Sequence, residues 1–224
     1  MPPPVNMKKK NLHKLLFFLF TCFTFTSWTS GKEKPDFSYK TLGNIANFFE
    51  NENDLLTFFE FKKGDVVAEV GAGNGQNIAG LSLLTDSLML YAQDINSKSL
   101  NKKNFDKVIN RCKKYKNPTT CNFQLYIGTE KTTNLPDNFF DKIILSSTFH
   151  EFTFMNEMLS DIYKKLKSGG KLYILESQCL NKAHKNYSAE EAIALAKTNN
   201  FNLIKKDGKD LNGSSGLYRI VFMK

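Results

Sequence analysis

A carboxylate followed by three alternating glycines is the first group of residues that could do chemistry. The run EVGAGNG occupies residues 69–75 and completes a short apolar segment, VVAEV, over residues 66–70. Glycines at such a turn let the backbone bend sharply and approach a ligand without a Cβ clash. In an open α/β sheet, a turn at the carboxyl end of a strand borders the ligand-binding crevice. The candidate binding residues at this turn are Gly71, Gly73 and Gly75.

A second acidic residue, Asp94, closes the next apolar segment, LMLYAQD over residues 88–94. One carboxylate has two acceptor oxygens, which match the two neighbouring hydroxyls of a ribose. Asp94 also precedes Asn96 and Ser97, so an alternative role is to cap the helix that follows. The two roles are compatible, and we favour ribose binding.

A third group, SSTFHEF over residues 146–152, follows the fourth apolar segment. A histidine side chain ordinarily titrates near neutral pH and can act as a general base, which makes His150 a candidate. Glu151 could orient a base or a substrate amine. The alternative for His150 is packing against a cleft or capping the next helix. We take His150 and Glu151 as the candidate catalytic residues.

The elements that must position these groups alternate between strands and helices. Strands are predicted over residues 66–70, 88–94, 123–127, 141–146, 172–176, 201–204 and 217–222, and helices over 42–49, 55–59, 76–84, 97–112, 155–166 and 188–198. The helix from Met155 is expected to stop at the SGG run, residues 168–170. This alternation predicts a mostly parallel sheet covered on both faces, and the last two strands, with no helix between them, predict an antiparallel hairpin at one edge.

The run GDVVAEVGAGNGQN, residues 64–77, resembles the first motif of the class I SAM-dependent methyltransferases. Further motifs follow in that family's order, including the fourth-strand run FFDKII (139–144) and the run LKSGGKLYILE (166–176). The resemblance implies a three-layer, Rossmann-like methyltransferase fold with a seven-stranded sheet, and S-adenosyl-L-methionine (SAM) as cofactor. It also implies that Glu69 orders the glycine turn and the methionine end of SAM, and that Asp94 binds the ribose.

The same resemblance points to an adenine-binding position after the third strand. The family usually places an acidic residue there, and this chain has the run GTE over residues 128–130. Thr129 or Glu130 would serve, although Glu130 could equally be a solvated loop charge. The full set of cofactor-binding residues implied by the resemblance adds Ile95, Thr129, Glu130 and Ser146 to the glutamate, glycines and aspartate above.

We therefore expect a SAM-dependent methyltransferase (EC 2.1.1.-) acting on a small-molecule or protein acceptor. One alternative is an exported, non-catalytic module that binds a nucleoside-like ligand. Another is an NAD-linked enzyme, disfavoured because Gln76 stands where a GxGxxG fingerprint needs its last glycine. No metal is expected, because no CxxC or histidine pair has ligand spacing. The net charge of +9 is spread along the chain, which argues against a nucleic-acid partner.

The first thirty-one residues are typical of a targeting segment. Lys8–Lys10 precede an uncharged, Leu- and Phe-rich run from Leu15 to Ser30, which predicts a signal peptide or N-terminal membrane anchor over residues 1–31. A linker and helix over 32–54 and the methyltransferase-like domain over 55–224 would follow. Cys22 ends a lipobox-like run, LFTC, so lipidation is a further alternative, and we expect an exported or membrane-anchored chain of the periplasm or cell envelope. In an oxidising compartment Cys112 and Cys121 could form a disulfide or remain thiols.

Overall fold

The computed structural model describes residues 52–115, 120–178, 187–208 and 216–224. Its elements in chain order are α1 (Glu52–Phe59), β1 (Val66–Val70), α2 (Gln76–Leu84), β2 (Met89–Asp94), α3 (Lys102–Cys112), β3 (Asn122–Ile127), β4 (Phe140–Ser146), a 3₁₀ turn (Phe149–Glu151), α4 (Met155–Lys165), β5 (Leu166–Gln178), α5 (Ala189–Thr198), β6 (Asn202–Gly208) and β7 (Gly216–Met223). The predicted targeting segment lies outside the described residues, as does the predicted helix over 42–49.

Seven strands form one sheet in the order β3-β2-β1-β4-β5-β7-β6. The first five are parallel to their neighbours, while β7 is antiparallel to both β5 and β6. The predicted fold class, including the antiparallel hairpin at one edge, is confirmed. The chain runs outward from β1 to β3 and then returns to β4 on the other side of β1. This change of direction is the point at which open α/β sheets form a crevice beyond the carboxyl ends of their strands.

Helices cover both faces of the sheet, because apolar side chains project from each strand in both directions. All five residues of β1 are buried, as expected for a central parallel strand. One apolar cluster joins the sheet to α1, α2 and α3, and a second joins it to α4 and α5. In the first cluster, the buried Tyr173 hydroxyl donates a 2.9 Å hydrogen bond to the Phe59 carbonyl and ties α1 to β5. The three-layer arrangement follows from these two clusters.

Two helix ends differ from the predicted ones. The helix expected from residue 97 begins at Lys102, because the Asn101 side chain accepts a hydrogen bond from the Asn104 N–H and caps the helix there. The helix expected to reach the SGG run ends at Lys165, because Leu166 already pairs with Phe140 as part of β5.

Two observations on the described residues concern the state of their thiols and the length of their helices. The structure has Cys112 and Cys121 as buried thiols that form no disulfide, and the Cys121 thiol donates a 3.5 Å hydrogen bond to the Thr85 carbonyl. Burial raises the pKa of the Cys112 thiol to about 11. Within the described residues, no helix combines the length and apolar character needed to cross a bilayer.

Candidate active site

A cleft lies beyond the carboxyl ends of β1, β2 and β4, where the sequence predicts the ligand. Its volume is about 280 Å³, close to the lower end of the range for small-molecule sites. Six of the predicted site residues line it: Gly71, Asp94, Ile95, Thr129, Glu130 and Glu151. The remaining lining residues are Val70, Gln93, Ser147, Thr148, Phe152, Thr153 and Met158.

The glycine turn approaches its neighbours closely, and this requires the missing side chain. The φ angles of Gly71, Gly73 and Gly75 are +76°, +58° and +82°, a region that disfavours other residues. A Cβ on Gly71 would lie 2.1 Å from Cγ2 of Thr148, whereas a Cβ on Gly73 would meet nothing within 4 Å. Gly71 is therefore restricted by both backbone conformation and space, and Gly73 by conformation alone.

Glu69 lies behind the glycine turn rather than in the cleft lining, and its side chain is only 1% exposed. Its Oε2 accepts a 2.9 Å hydrogen bond from the Ile78 N–H, and its Oε1 accepts one of 3.0 Å from the Asn77 side chain. Helix α2 has Gly75 at its N-cap and no side-chain cap of its own, so the Glu69 carboxylate in the neighbouring strand accepts the hydrogen bond that an N-cap side chain would otherwise accept from the first turn. Burial raises the pKa of Glu69 to about 7, despite these hydrogen bonds.

Asp94 connects the glycine turn to the end of β2. Its Oδ2 accepts a 2.7 Å hydrogen bond from the Gly73 N–H, and its Oδ1 accepts one of 2.8 Å from the Asn96 N–H. The helix-capping alternative does not hold for α3, whose cap is Asn101. Each carboxylate oxygen can accept a second hydrogen bond, so both keep an acceptor position for a ligand.

Of the other predicted cofactor residues, three line the cleft, namely Ile95, Thr129 and Glu130, and Ser146 does not. Ile95 is 54% exposed. The Thr129 hydroxyl accepts hydrogen bonds from the Lys131 and Thr132 N–H groups at 3.3 and 3.2 Å, which orders its own loop. Ser146 is buried beneath the cleft and accepts a 3.4 Å hydrogen bond from the Asn77 side chain.

His150 is placed between two carboxylates and is not itself part of the cleft lining. Its Nδ1 lies 3.0 Å from Oε2 of Glu176, a buried residue of β5. Its Nε2 lies 3.0 Å from Oε1 of Glu151, whose side chain is 59% exposed and lines the cleft. The arrangement therefore brings the predicted pair together, with Glu151 nearer to a ligand and His150 behind it.

The cleft lining is acidic. Its ionisable side chains are Asp94, Glu130 and Glu151, and no lysine, arginine or histidine is among the described residues that line it. Such a lining attracts a cation and repels phosphate groups.

Comparison with known proteins agrees with this fold. A family model described as a methyltransferase domain matches residues 68–174. A ubiquinone/menaquinone biosynthesis C-methyltransferase, UbiE, of Wigglesworthia glossinidia brevipalpis is 38% identical over 161 residues, which are 67% of this chain and 63% of that relative. This chain thus spans less than two thirds of that relative's length. The domain match confirms the resemblance to SAM-dependent methyltransferases that the sequence predicts.

Two solved structures share the fold at low sequence identity. One is a SAM-dependent methyltransferase from Aquifex aeolicus, with a TM-score of 0.63 and 19% identity, covering 84% of this chain and 99% of that one. The other is Haemonchus contortus phosphoethanolamine N-methyltransferase 2 in complex with SAM, with a TM-score of 0.60 and 14% identity, covering 85% of this chain and 61% of that one. At these identities the likeness shows the fold alone.

Two residues of the site were not predicted as functional from the sequence. Glu176 ends an apolar strand at the same sheet edge as Glu69 and Asp94, and this position was the available signal. Gln93 lies one residue before Asp94 and is 1% exposed at the cleft wall. No pattern in the sequence distinguishes Gln93 from an ordinary strand residue.

Proposed function

We propose that this protein binds SAM in the cleft and transfers its methyl group to a carbon atom of a small apolar molecule. The acidic lining is the observation that carries SAM binding. The SAM sulfonium is a cation, and three carboxylates surround the space it would enter. A dinucleotide would instead place a pyrophosphate against these carboxylates, which disfavours the NAD-linked alternative.

Three features of the cleft fit three parts of SAM: the ribose, the chain that passes the glycine turn, and the adenine ring. Asp94 has an acceptor position left on each carboxylate oxygen for the two ribose hydroxyls. The glycine turn allows close approach of the cofactor backbone, since Gly71 lines the cleft without a side chain. Ile95, half-exposed at the cleft, offers an apolar surface to the adenine ring.

Methyl transfer needs an aligned acceptor and a group that receives the acceptor's proton. SAM, when bound, supplies the methyl group, whose bond to sulfur breaks with its electron pair left on sulfur as the bond to the acceptor forms. Glu151 is the carboxylate best placed to take the proton, because it lines the cleft and is half-exposed. His150, held by Glu176 on its other side, orients Glu151.

The acceptor class is supported by the lining and by the relative. Val70, Phe152 and Met158 are apolar residues of the same cleft lining as Glu151, which suits an apolar ring more than a charged peptide. The 38% identical relative from Wigglesworthia bears the name of a C-methyltransferase of quinone biosynthesis. A protein acceptor and a non-catalytic binding module remain the competing functions.

The test is transfer of label from methyl-labelled SAM to a hydroquinone with an unsubstituted ring carbon. Label on the ring carbon is expected, with Glu151→Gln reducing the rate by about a hundredfold and Glu157→Gln, an exposed glutamate of α4, leaving it unchanged. Label on oxygen would contradict the carbon acceptor and keep methyl transfer. Binding of SAM without transfer to any small molecule or protein would favour the binding module.

We also propose that residues 1–31 attach the chain to the cell envelope or export it. The support is the basic start and uncharged apolar run of the sequence, which lie outside the described residues. Because SAM is a cytosolic metabolite, an uncleaved anchor facing the cytosol is the arrangement most consistent with the acidic cleft. Intact-mass measurement of the membrane fraction distinguishes the intact segment from cleavage near residue 31 and from lipidation at Cys22. A full-length chain found only in the soluble fraction would contradict this proposal.

A further inference from the structure

The Gln93 carboxamide is a buried polar group at the cleft with an unmatched hydrogen-bond donor. Gln93 lines the cleft, yet its side chain is only 1% exposed. Its Nε2 has no hydrogen-bond partner, and it is the one buried side-chain nitrogen or oxygen of the described residues in that condition. A buried amide without a partner costs about 1–3 kcal/mol, so its retention at a ligand cleft needs a reason.

The position of Gln93 indicates which part of a ligand it would meet. Consecutive strand residues point to opposite faces of a sheet. The Asp94 side chain reaches the glycine turn after β1, where it accepts from the Gly73 N–H. The Gln93 amide instead packs on Gly128, directly after β3, so closely that a Cβ on Gly128 would lie 2.3 Å from its Nε2.

Resting on the proposed binding of SAM, we propose that the Gln93 carboxamide recognises the polar edge of the adenine ring. A carboxamide presents one acceptor and one donor side by side, and adenine presents the complementary amino group and ring nitrogen. Rotation of the terminal amide exchanges its oxygen and nitrogen, so either atom can face the ligand. The base is attached to the ribose that Asp94 would bind, and Gln93 is the residue of β2 that immediately precedes Asp94.

The neighbouring candidates for base recognition are less suited to it. The Thr129 hydroxyl already accepts from two N–H groups of its own loop. Glu130 is an exposed carboxylate, which can only accept. Gln93 is thus the buried amide of the lining, and an amide offers a donor and an acceptor side by side to a base.

The experiment measures two ligands against two variants of the full-length chain by calorimetry. The ligands are S-adenosylhomocysteine and its analogue with purine in place of adenine, which lacks the 6-amino group. The wild-type chain is expected to bind the adenine compound about tenfold more tightly. Gln93→Met, which keeps the length of the side chain, is expected to bind both compounds equally. Gln124→Leu, an amide-to-apolar change at an exposed position of β3, is the matched control and should retain the tenfold preference.

Thermal unfolding of the ligand-free chains supplies a second readout. Because the Gln93 Nε2 has no partner, Gln93→Met is expected to leave the unfolding midpoint unchanged or to raise it. A midpoint lowered by several degrees would indicate a structural role and overturn the inference. If Gln93→Met does not fold, Gln93→Leu takes its place in both measurements, and failure of both variants to fold overturns the inference.

The outcomes separate this inference from the proposed function. A wild-type chain that binds neither compound overturns SAM binding and the inference with it. A wild-type chain that binds both compounds equally, or a folded Gln93→Met that keeps the tenfold preference, overturns the inference alone.

Discussion

Replacing Asp94 by alanine tests the cofactor site most directly. The two carboxylate oxygens each hold one backbone N–H, from Gly73 at 2.7 Å and from Asn96 at 2.8 Å, and each has one acceptor position left. A ribose would add one charge-assisted hydrogen bond to each oxygen. Such bonds contribute about 1.5–3 kcal/mol apiece at most, and Asp94 is only half-buried. We expect a total loss of about 1–3 kcal/mol, or a roughly 5- to 150-fold rise in Kd for SAM.

The assay is calorimetric titration of the full-length chain with SAM and S-adenosylhomocysteine. Asp106→Ala is the control, because Asp106 is an exposed aspartate of α3 whose partner is the exposed Lys102. Circular dichroism establishes that the Asp94→Ala chain is folded. A Kd within twofold of wild type in the folded variant would refute ribose binding by Asp94, even if SAM binds elsewhere in the cleft.

Three further perturbations test the residues around the cleft. Because the pKa of Glu69 is about 7 in the folded chain against 4.5 ordinarily, the free energy of unfolding of the wild-type chain should fall by up to about 3 kcal/mol as pH rises from 5 to 8. Urea unfolding of Glu69→Gln should show no such fall, and a variant with the wild-type pH dependence would contradict the effect of burial on Glu69. Gly71→Ala should destabilise the chain by about 2 kcal/mol more than Gly73→Ala, because only a Cβ at Gly71 clashes with Thr148. Equal denaturation midpoints for the two variants would contradict this prediction. Glu176→Gln should lower kcat about tenfold and leave the Kd for SAM unchanged, because it acts through His150; a weakened Kd would place Glu176 in cofactor binding instead.

The order of strands and helices was predictable because local patterns specify it. Apolar runs such as residues 66–70 need burial on both faces, and this requires a parallel sheet between two helical layers. The missing helix between the last two strands led to the edge hairpin, which the structure confirms. The start of α3 and the end of α4 were predicted wrongly. Helical spacing in the sequence does not reveal the Asn101 cap that begins α3 or the pairing of Leu166 with Phe140 that ends α4.

The candidate site was predictable in its residues and only partly in their roles. The glycines were identified from their position after a strand, Asp94 from its position at the end of one, and Glu69 from the resemblance to methyltransferases. Their contacts depend on which elements lie side by side. Glu69 caps α2 from β1 behind the glycine turn, and His150 lies between Glu151 and a glutamate 26 residues further along the chain.

The sequence by itself determined the fold class, which follows from the periodicity of its apolar runs. Its glycine run after β1 carried the resemblance to methyltransferases and marked the sheet edge where a ligand is expected. Only the tertiary structure decided which polar groups face the cleft and which are hydrogen-bonded inside the fold. The partners of Glu176 and Gln93 could not be predicted from their own segments, because these partners come from the 3₁₀ turn after β4 and from the loop after β3. The role of a buried polar residue depends on the partners that distant strands bring to it.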